Sequence, residues 1–388
     1  MTRPEAGETG VGSQAGARLL AHLAAAGYAP VTPPVLQPVE PFLELSGEDI
    51  RRRIFVTQDA AGAEMCLRPE FTIPVCRLHL SRPRSERAEG AADYSYHGPV
   101  FRLAADEPDE FFQVGIESIG RADTPAADAE VLGLALEGLA LFGRASPAVR
   151  LGDMGLTVAL LDGLGVPPAA KRRTLRALAA GRSLDAVTNG VEGTPGEDPH
   201  AGLLAAIQGQ DPRGVRAFVE DVLAIAGISA VGGRSAGEIA ERFLGKAAAQ
   251  ANGGAGLNAE NRAILDRYRA VAGDPDAAAR DLRALAADAG VRHGPLDAAL
   301  DLFEERAGFI AARGLDIAGF RFQGGFARNL DYYSGFIFEV TAGDGTAEGP
   351  VLVGGGRYDG LLGHLGSPTP LPAVGCTFWI ERVAGAGR

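Results

Sequence analysis

The stretch EFFQVGIESI, residues 110–119, decides the fold of this chain. Polar residues recur in it at strand spacing: Gln113 and Glu117 are four residues apart and Gly115 lies between them, so an extended backbone places all three on one face. The preceding stretch YSYHGPVFRL, residues 94–103, also has strand character, and a short polar segment joins the two. Together they predict an antiparallel hairpin whose shared face carries polar groups beside a gap left by Gly115.

Strand patterns occur at both ends of the chain, and helical patterns fill the middle. Further predicted strands are Ile54–Gln58, Ala63–Arg68, Ala148–Gly152, Gly319–Gln323, Gly335–Thr341 and Val351–Gly355, and the chain closes with Val374–Val383. Helical spacing is found over Ser13–Ala26, over Ala126–Gly143 and from about Val158 to Arg313. We therefore expect an α+β fold with one mixed sheet built from both ends: a loose tail (1–13), a core (14–157 and 314–388) and a mainly helical insertion (158–313).

The composition is that of an ordinary soluble protein. Of the 388 residues, 46% are hydrophobic and 22% charged, and the formal net charge of −12 argues against a protein whose main task is to hold a polyanion. No apolar run precedes Leu19 and no window is long enough to span a membrane, so we expect a cytoplasmic protein. Three scattered cysteines favour neither a zinc site nor a disulfide framework, and phosphate-loop and dinucleotide motifs are missing. We expect no metal and no cofactor.

Several polar residues on or near these strands could share a pocket. They are Glu70, Thr72, Arg102, Gln113, Glu117, Arg328, Tyr332 and Tyr333. Glu70 and Thr72 share a side if their segment is extended, and Arg102 lies near the turn of the hairpin. Carboxylates suit an ammonium, arginines a carboxylate or phosphate, and tyrosines a small ring, so the set favours a pocket for a zwitterionic amino acid. Solvated strand faces and pairs of neighbouring charges are the alternative interpretation of the same residues.

Six motifs follow one another along the chain. They are LRPEFT (67–72), YHGPVFR (96–102), FQVGIESIG (112–120), ARNLDYYSGFIFE (327–339), GGGRYDGL (354–361) and AVGCTFWIERV (373–383). In this order they resemble the motifs of the histidyl-tRNA synthetase catalytic core. The resemblance implies a class II aminoacyl-tRNA synthetase-like antiparallel sheet with flanking helices and an insertion, and a dimer formed through the first motif around Pro33 and Pro34. It also implies that the eight polar candidates form a histidine pocket, and that Arg382 matches an arginine that holds ATP phosphate.

Departures from that family bear on activity. The synthetases have an arginine-rich loop after the second motif, whereas the loop Leu103–Glu110 carries four acids and no base. Like charges against a triphosphate cost on the order of a few kcal/mol in a partly dry site. Phe71 replaces a glycine usual in its motif, and we expect it to crowd the place where an adenylate would form. The sequence closes at Arg388 after the last motif, so we expect no anticodon-binding domain.

A synthetase-like core that lacks the arginine-rich loop and the anticodon-binding domain resembles the regulatory subunit of ATP phosphoribosyltransferase. This implies a non-catalytic protein that activates a short-form ATP phosphoribosyltransferase catalytic subunit, in the first step of histidine biosynthesis, and takes part in feedback inhibition by L-histidine. It implies no aminoacylation and no tRNA partner, with Arg382 as a vestigial phosphate ligand. Two alternatives stay open: an enzyme that forms histidyl adenylate and charges an acceptor other than tRNA, and a truncated histidyl-tRNA synthetase. The site of inhibitory histidine, pocket or subunit interface, also stays open.

Overall fold

The computed structural model describes most of the chain and divides it into two units. The described residues are 8–82, 91–104, 108–144, 147–184, 230–231, 234–235, 257–328, 330–343 and 349–385. One unit combines Met1–Gly163 with Asp266–Arg388, and the other is Leu164–Leu265. Both ends of the chain therefore build one unit, as the strand patterns predict.

A nine-stranded sheet forms the frame of the first unit. The described strands are β1 (Ala29–Pro30), β2 (Leu36–Pro38), β3 (Val56–Gln58), β4 (Glu64–Leu67), β5 (Ala92–Phe101), β6 (Glu110–Ile119), β7 (Ala148–Asp153), β8 (Ala230–Val231), β9 (Arg234–Ser235), β10 (Ala272–Gly273), β11 (Arg321–Gln323), β12 (Phe336–Thr341), β13 (Val351–Arg357) and β14 (Ala373–Trp379). The large sheet has the order β1-β5-β6-β14-β13-β12-β7-β11-β10. Its pairs are antiparallel except β1 with β5 and β7 with β11. A smaller sheet has the order β2-β4-β3, and β8 pairs with β9 in the second unit.

Among the described helices, the first and the fifth pack against one face of the large sheet. The described helices are α1 (Glu8–Ala25), α2 (Glu40–Leu45), α3 (Glu48–Arg51), α4 (Thr72–Ser81), α5 (Thr124–Ala140), α6 (Met154–Gly163), α7 (Pro168–Ala179), α8 (Ala259–Ala270), α9 (Pro275–Asp288), α10 (Pro295–Ala312), α11 (Leu361–His364) and α12 (Ile380–Ala384). Leu19 and Leu23 of α1 are fully buried. A Cβ at Gly138 of α5 would lie 2.8 Å from Leu19 and 2.9 Å from the ring of Phe378, so this glycine permits close packing of α1, α5 and β14. None of the helices in these ranges is long and apolar enough to cross a membrane.

The hairpin predicted from residues 94–119 is confirmed. β5 and β6 pair antiparallel, with Tyr94 opposite Glu117, Tyr96 opposite Gly115, and Gly98 opposite Gln113. The other predicted strands lie within two residues of their predicted bounds, except the closing segment. There the strand ends at Trp379, and α12 follows because Ile380 and Val383 are buried at helical spacing.

The boundaries of the tail and of the insertion differ from those expected. α1 begins at Glu8, so the loose tail expected over 1–13 is wrong for residues 8–13. Once a later part of a helix is packed, adding turns to its start requires no new nucleation. The helices α9 and α10 belong to the first unit, as does α6, so the insertion is narrower than 158–313. Helical spacing identifies a buried helix face but does not say which unit buries it.

A buried ionic network ties both ends of the chain together. Arg306 of α10 donates to Asp128 of α5 at 2.7 Å and to Asp153, at the end of β7, at 2.8 Å. Arg357, at the end of β13, donates to the other oxygen of Asp128 at 2.9 Å. The four side chains are at most 8% exposed. The charges of two guanidinium groups and two carboxylates therefore balance inside the core.

Replacing Asp128 by alanine is expected to lower the free energy of unfolding by about 3–5 kcal/mol, because two buried guanidinium groups lose a partner. Urea denaturation followed by circular dichroism measures this change. Asp288→Ala is the control, since the ion pair of Asp288 with Arg267 is exposed; its cost should stay below about 1 kcal/mol. Equal effects of the two variants would contradict the importance of the buried network.

Candidate functional site

A polar cavity of about 270 Å³ opens on the face of the large sheet that carries Thr377. The neighbouring residue Phe378 points to the other face, against α5. The sequence-predicted residues that line the cavity are Glu70, Thr72, Arg102, Gln113, Arg328, Tyr332, Tyr333 and Arg382. The fold thus brings Arg102 and Arg328 to one cavity, a pairing across the sequence that residue spacing does not predict.

Glu117 lies behind the cavity wall. Its side chain is 1% exposed, and it is not among the lining residues. One carboxyl oxygen accepts from the hydroxyl of Thr72 at 2.7 Å and from that of Tyr96 at 3.3 Å, and the hydroxyl of Tyr358 donates to the other. Thr72 and Tyr358 line the cavity. Glu117 is therefore linked to the cavity through hydroxyl groups, and the expectation of direct strand-face exposure is corrected.

Burial makes the carboxyl groups of Glu117 and Glu70 weak acids. Desolvation raises the pKa of Glu117 to about 8, and the hydrogen bonds from Tyr358 and Thr72 offset only part of that rise. Desolvation also raises the pKa of Glu70, again partly offset by hydrogen bonds, here from the backbone of Ile73 and Thr72. Both groups therefore retain their protons to higher pH than exposed glutamates do.

The segment after Glu70 turns into a helix, so the condition that Glu70 and Thr72 share a side of one extended segment is not met. α4 begins at Thr72, and the carboxylate of Glu70 accepts from the backbone N–H of Thr72 at 2.6 Å and of Ile73 at 2.9 Å. A carboxylate at this position satisfies free N–H groups of the first turn and interacts favourably with the helix dipole. Glu70 therefore reaches the cavity from the start of a helix.

Two glycines of the central strands accommodate polar side chains. A Cβ at Gly354 of β13 would lie 1.9 Å from a terminal nitrogen of Arg328. A Cβ at Gly375 of β14 would lie 1.7 Å from the carboxyl group of Glu117, which is also its partner across the strands. Real Cβ atoms do not approach other atoms so closely. The lack of side chains at these positions therefore lets the guanidinium of Arg328 and the carboxyl group of Glu117 lie against the sheet.

The gap expected at Gly115 is filled by Tyr96. A Cβ at Gly115 would lie 2.2 Å from the hydroxyl oxygen of Tyr96. That hydroxyl also lies 2.7 Å from the hydroxyl of Thr377, which lines the cavity. The expectation of open space at Gly115 is therefore wrong: its missing side chain makes room for a buried phenol.

Both arginines predicted for the pocket are held by acceptors. Arg102 donates through Nε to the carbonyl oxygen of Pro69 at 2.7 Å, and burial lowers its pKa to about 10, so it stays charged near neutral pH. One terminal nitrogen of Arg328 donates to Glu339 at 3.1 Å and to the carbonyl oxygen of Phe338 at 3.3 Å. The cavity therefore holds guanidinium groups whose positions are already restricted.

The side-chain oxygen of Gln113 is a buried acceptor to which no described residue donates. The side chain is 1% exposed and lines the cavity. A buried amide oxygen without a partner costs about 1–3 kcal/mol, which a ligand N–H could recover.

The ring centroids of Tyr332 and Tyr333 lie 5.1 Å apart. Burial raises the pKa of Tyr333 to about 12 and that of Tyr332 well above its ordinary value, so both phenols stay protonated.

Phe71 does not occupy the cavity. Its ring is 1% exposed and stacks on Tyr96 with centroids 4.4 Å apart, and the guanidinium of Arg68 lies 4.0 Å from its centre. The expectation that Phe71 crowds the ligand space is therefore corrected, because its side chain is packed against Tyr96 in the core beside the cavity. Residues 105–107 of the acidic loop lie outside the described residues. The described part of that loop does not line the cavity.

Several lining residues were not predicted from the sequence, including Asp49, Arg53, Glu339, Tyr358 and Trp379. Tyr358 and Glu339 lie inside motifs quoted for the resemblance, but no pattern marked them as polar pocket residues. Asp49 and Arg53 form an ion pair at 3.2 Å in and just after α3, a spacing that also fits a solvated helix face. No set of three His, Cys, Asp or Glu side chains in the described part of the chain is arranged to hold a metal ion.

Comparisons with known proteins give the family. The family model of histidyl-tRNA synthetase matches residues 8–221 and 213–383. ATP phosphoribosyltransferase regulatory subunits from Mesorhizobium japonicum and Brucella canis are 42% and 38% identical, over 90% of this chain and 91% of each relative. The chain belongs to the family of ATP phosphoribosyltransferase regulatory subunits. The resemblance inferred from the six motifs is thereby confirmed.

Solved structures of this wider family share the fold. An ATP phosphoribosyltransferase regulatory subunit/histidyl-tRNA synthetase from Bacillus halodurans has a TM-score of 0.67 at 21% identity, covering 100% of this chain and 82% of that one. A histidine–tRNA ligase subunit from Alicyclobacillus acidocaldarius has a TM-score of 0.62 at 23% identity, covering 99% and 94%. The expected class II synthetase-like fold is confirmed, and the relatives in the regulatory-subunit family are named as regulators rather than as catalysts.

Glu117→Gln should change how stability depends on pH. The folded-state pKa of Glu117, about 8, lies above the value of about 4.3 for an unfolded glutamate. The folded state thus holds the proton longer, and this group lowers the free energy of unfolding as pH rises from about 4.3 to 8, by at most about 1.4 kcal/mol per pH unit. We expect Glu117→Gln to gain stability relative to the wild type across that window in urea denaturation.

The exposed residue Glu44 supplies the control, as Glu44→Gln removes a carboxyl group without burial. Its stability profile is the reference for the loss of a carboxyl group from an exposed position. Glu70 titrates in the same direction in all three proteins, so its contribution largely cancels in the differences. A Glu117→Gln profile that runs parallel to this reference would show that Glu117 ionises normally.

Proposed function

We propose that this chain is the regulatory subunit that binds and activates a short-form ATP phosphoribosyltransferase catalytic subunit, and that its cavity binds L-histidine for feedback inhibition. The observation that carries the proposal is the match to curated regulatory subunits over nine tenths of the chain. The described cavity supports the second part, because it presents acceptors for an ammonium and donors for a carboxylate in one small volume.

The polar groups of the cavity suit the parts of a zwitterionic amino acid. Glu70 and the side-chain oxygen of Gln113, to which no described residue donates, are acceptors for the ammonium group, and Arg328 is a donor to the carboxylate. Tyr332 and Tyr333 provide ring faces and hydroxyl groups for the imidazole, with Thr72 and Tyr358 relaying the carboxyl group of Glu117. These assignments extend the roles inferred from the six motifs.

Arg382 suits a vestigial role in phosphate binding. It lines the cavity, donates to the carbonyl oxygen of Val351 at 3.2 Å and lies 5.5 Å from the ring centre of Trp379. We propose that the chain forms no adenylate and binds no tRNA. The relatives' shared name as regulatory subunits supports this over an adenylate-forming enzyme or a truncated synthetase.

We also propose a self-dimer in the cytoplasm, formed through the synthetase-like core near Pro33 and Pro34. The exposed apolar side chains of Val35, Leu36 and Val56 lie on or beside the edge strands β2 and β3 of the small sheet. Exposed apolar side chains on the edge strands of a sheet are suited to an interface with another chain.

Mixing this chain with a short-form ATP phosphoribosyltransferase should raise turnover by at least about tenfold, and the two proteins should elute together. Activation requires that the chain bind one state of the catalytic subunit more tightly than another, so complex formation and activation are linked. Adding L-histidine should lower the turnover of the complex. Steady-state kinetics and size-exclusion chromatography measure these effects, with the heat-denatured chain as control. Unchanged turnover and elution volume would exclude the proposed partner.

Gln113→Met should weaken L-histidine binding by about tenfold and leave stability unchanged or higher. The variant keeps the shape of the side chain but removes the acceptor that we assign to the ligand. It also removes a buried polar atom for which the described residues provide no donor, so folding should lose nothing. Isothermal titration calorimetry and thermal melting measure the two quantities. Lower stability with unchanged histidine affinity would show instead that Gln113 is a structural polar residue.

A further inference from the structure

We propose that Glu339 is a positioning residue that holds the guanidinium of Arg328 in the orientation that receives the ligand carboxylate, with Arg150 as its anchor. This inference rests on the proposed function, because the carboxylate concerned is that of histidine in the cavity. It assigns roles to two residues outside the predicted pocket, one of which, Arg150, does not line the cavity.

Glu339 bridges two arginines. One of its carboxylate oxygens lies 3.1 Å from Arg328, and the other lies 2.5 Å from Arg150. The side chains of Glu339 and Arg328 are 14% and 10% exposed, and that of Arg150 is 30% exposed. Along the sheet, Arg150 of β7 pairs with Glu339 of β12, which pairs with Gly354 of β13, where the guanidinium of Arg328 lies. The three charged groups therefore follow one row across three strands.

The contacts of Arg328 leave one edge of its guanidinium available. Glu339 and the carbonyl oxygen of Phe338 both accept from the same terminal nitrogen. The Nε atom is buried and has no hydrogen-bond partner among the described residues. The Nε edge of a guanidinium presents two parallel N–H donors, the geometry that binds a carboxylate in a bidentate manner. Because Arg328 lines the cavity, a ligand carboxylate can provide the missing acceptor.

Arg150 prevents Glu339 from repelling that carboxylate. Two guanidinium groups and one carboxylate leave this row with a net positive charge, so an arriving anion is attracted overall. The guanidinium of Arg150 also lies 4.2 Å from the ring centre of Phe326, which restricts its movement. Glu339 thus fixes a long, flexible side chain before the ligand arrives, which reduces the entropy lost on binding.

The test compares two ligands that differ only in the carboxylate. L-Histidine carries it, and L-histidinol has an alcohol in its place. Calorimetric titrations use the full chain as wild type, Glu339→Ala and Glu339→Gln, with melting curves for each. Asp288→Ala is the matched control, since it removes a carboxylate paired with an arginine on the exposed surface.

Glu339→Ala should weaken binding of L-histidine by at least about tenfold and change binding of L-histidinol by less than about twofold. Glu339→Gln, which keeps an oxygen acceptor but loses the charge, should have an intermediate effect on L-histidine of about threefold. In an Arg328→Ala background, Glu339→Ala should cause no further loss, because the residue it positions is absent. Asp288→Ala should bind both ligands as the wild type does.

Two results would overturn the inference. The first is unchanged L-histidine affinity in folded Glu339→Ala or, if that variant does not fold, in Glu339→Gln. The second is an equal loss for L-histidine and L-histidinol, which would mean that Glu339 only maintains the shape of the site. If the wild type binds no L-histidine at all, the proposed ligand is wrong and this inference fails with it. A wild type that binds L-histidine and a Glu339 variant that binds equally well would overturn this inference alone.

Discussion

Close approach of polar groups to the backbone of the central strands is the constraint on which the candidate site depends. Gly354 pairs with Thr377, and Thr377 pairs with Gly115, so in this row of three neighbouring strands only Thr377 carries a side chain. Any larger residue at either glycine would displace Arg328 or the hydroxyl of Tyr96. Glycine weakens a strand because it adds entropy to the unfolded chain and packs nothing. The buried apolar side chains on the helix-covered face, such as Phe378, must make up that loss.

The site contains three buried or nearly buried carboxyl groups, and each is accommodated by a different physical means. Glu117 has hydroxyl donors and a raised pKa, so burial favours its neutral form. Glu70 accepts two backbone N–H groups at the start of α4, which partly offset its desolvation. Glu339 is compensated by two guanidinium groups. Of these groups, Glu70 is the acceptor that lines the cavity and forms no salt bridge with any residue that the structure describes, and this makes it the natural partner of a cationic ligand group.

Strand parity predicted the face of each hairpin residue because the period of two is fixed by backbone geometry. It could not predict depth, so Glu117 was expected on the wall and lies behind it. Local spacing also failed at Glu70, where the following residues Thr72 and Ile73 turn the chain into a helix. The predicted division between core and insertion was misplaced because the helical spacing of α10 does not distinguish a core helix from an insertion helix. The packing of α10 is shown by the burial of Arg306 beside Asp128 and Asp153.

The buried ionic network and the cavity are connected through two consecutive residues, Arg357 and Tyr358. Arg357 ends β13 and donates to Asp128 of α5 on the helix-covered side, in the network that also holds Arg306 of α10. The next residue, Tyr358, lines the cavity and donates to Glu117. A rigid ionic partner for Arg357 therefore restricts the backbone from which the phenol of Tyr358 projects. Since neutral Glu117 depends on its hydroxyl donors for hydrogen bonds, the core network and the back wall of the cavity are ordered through the same short segment of chain.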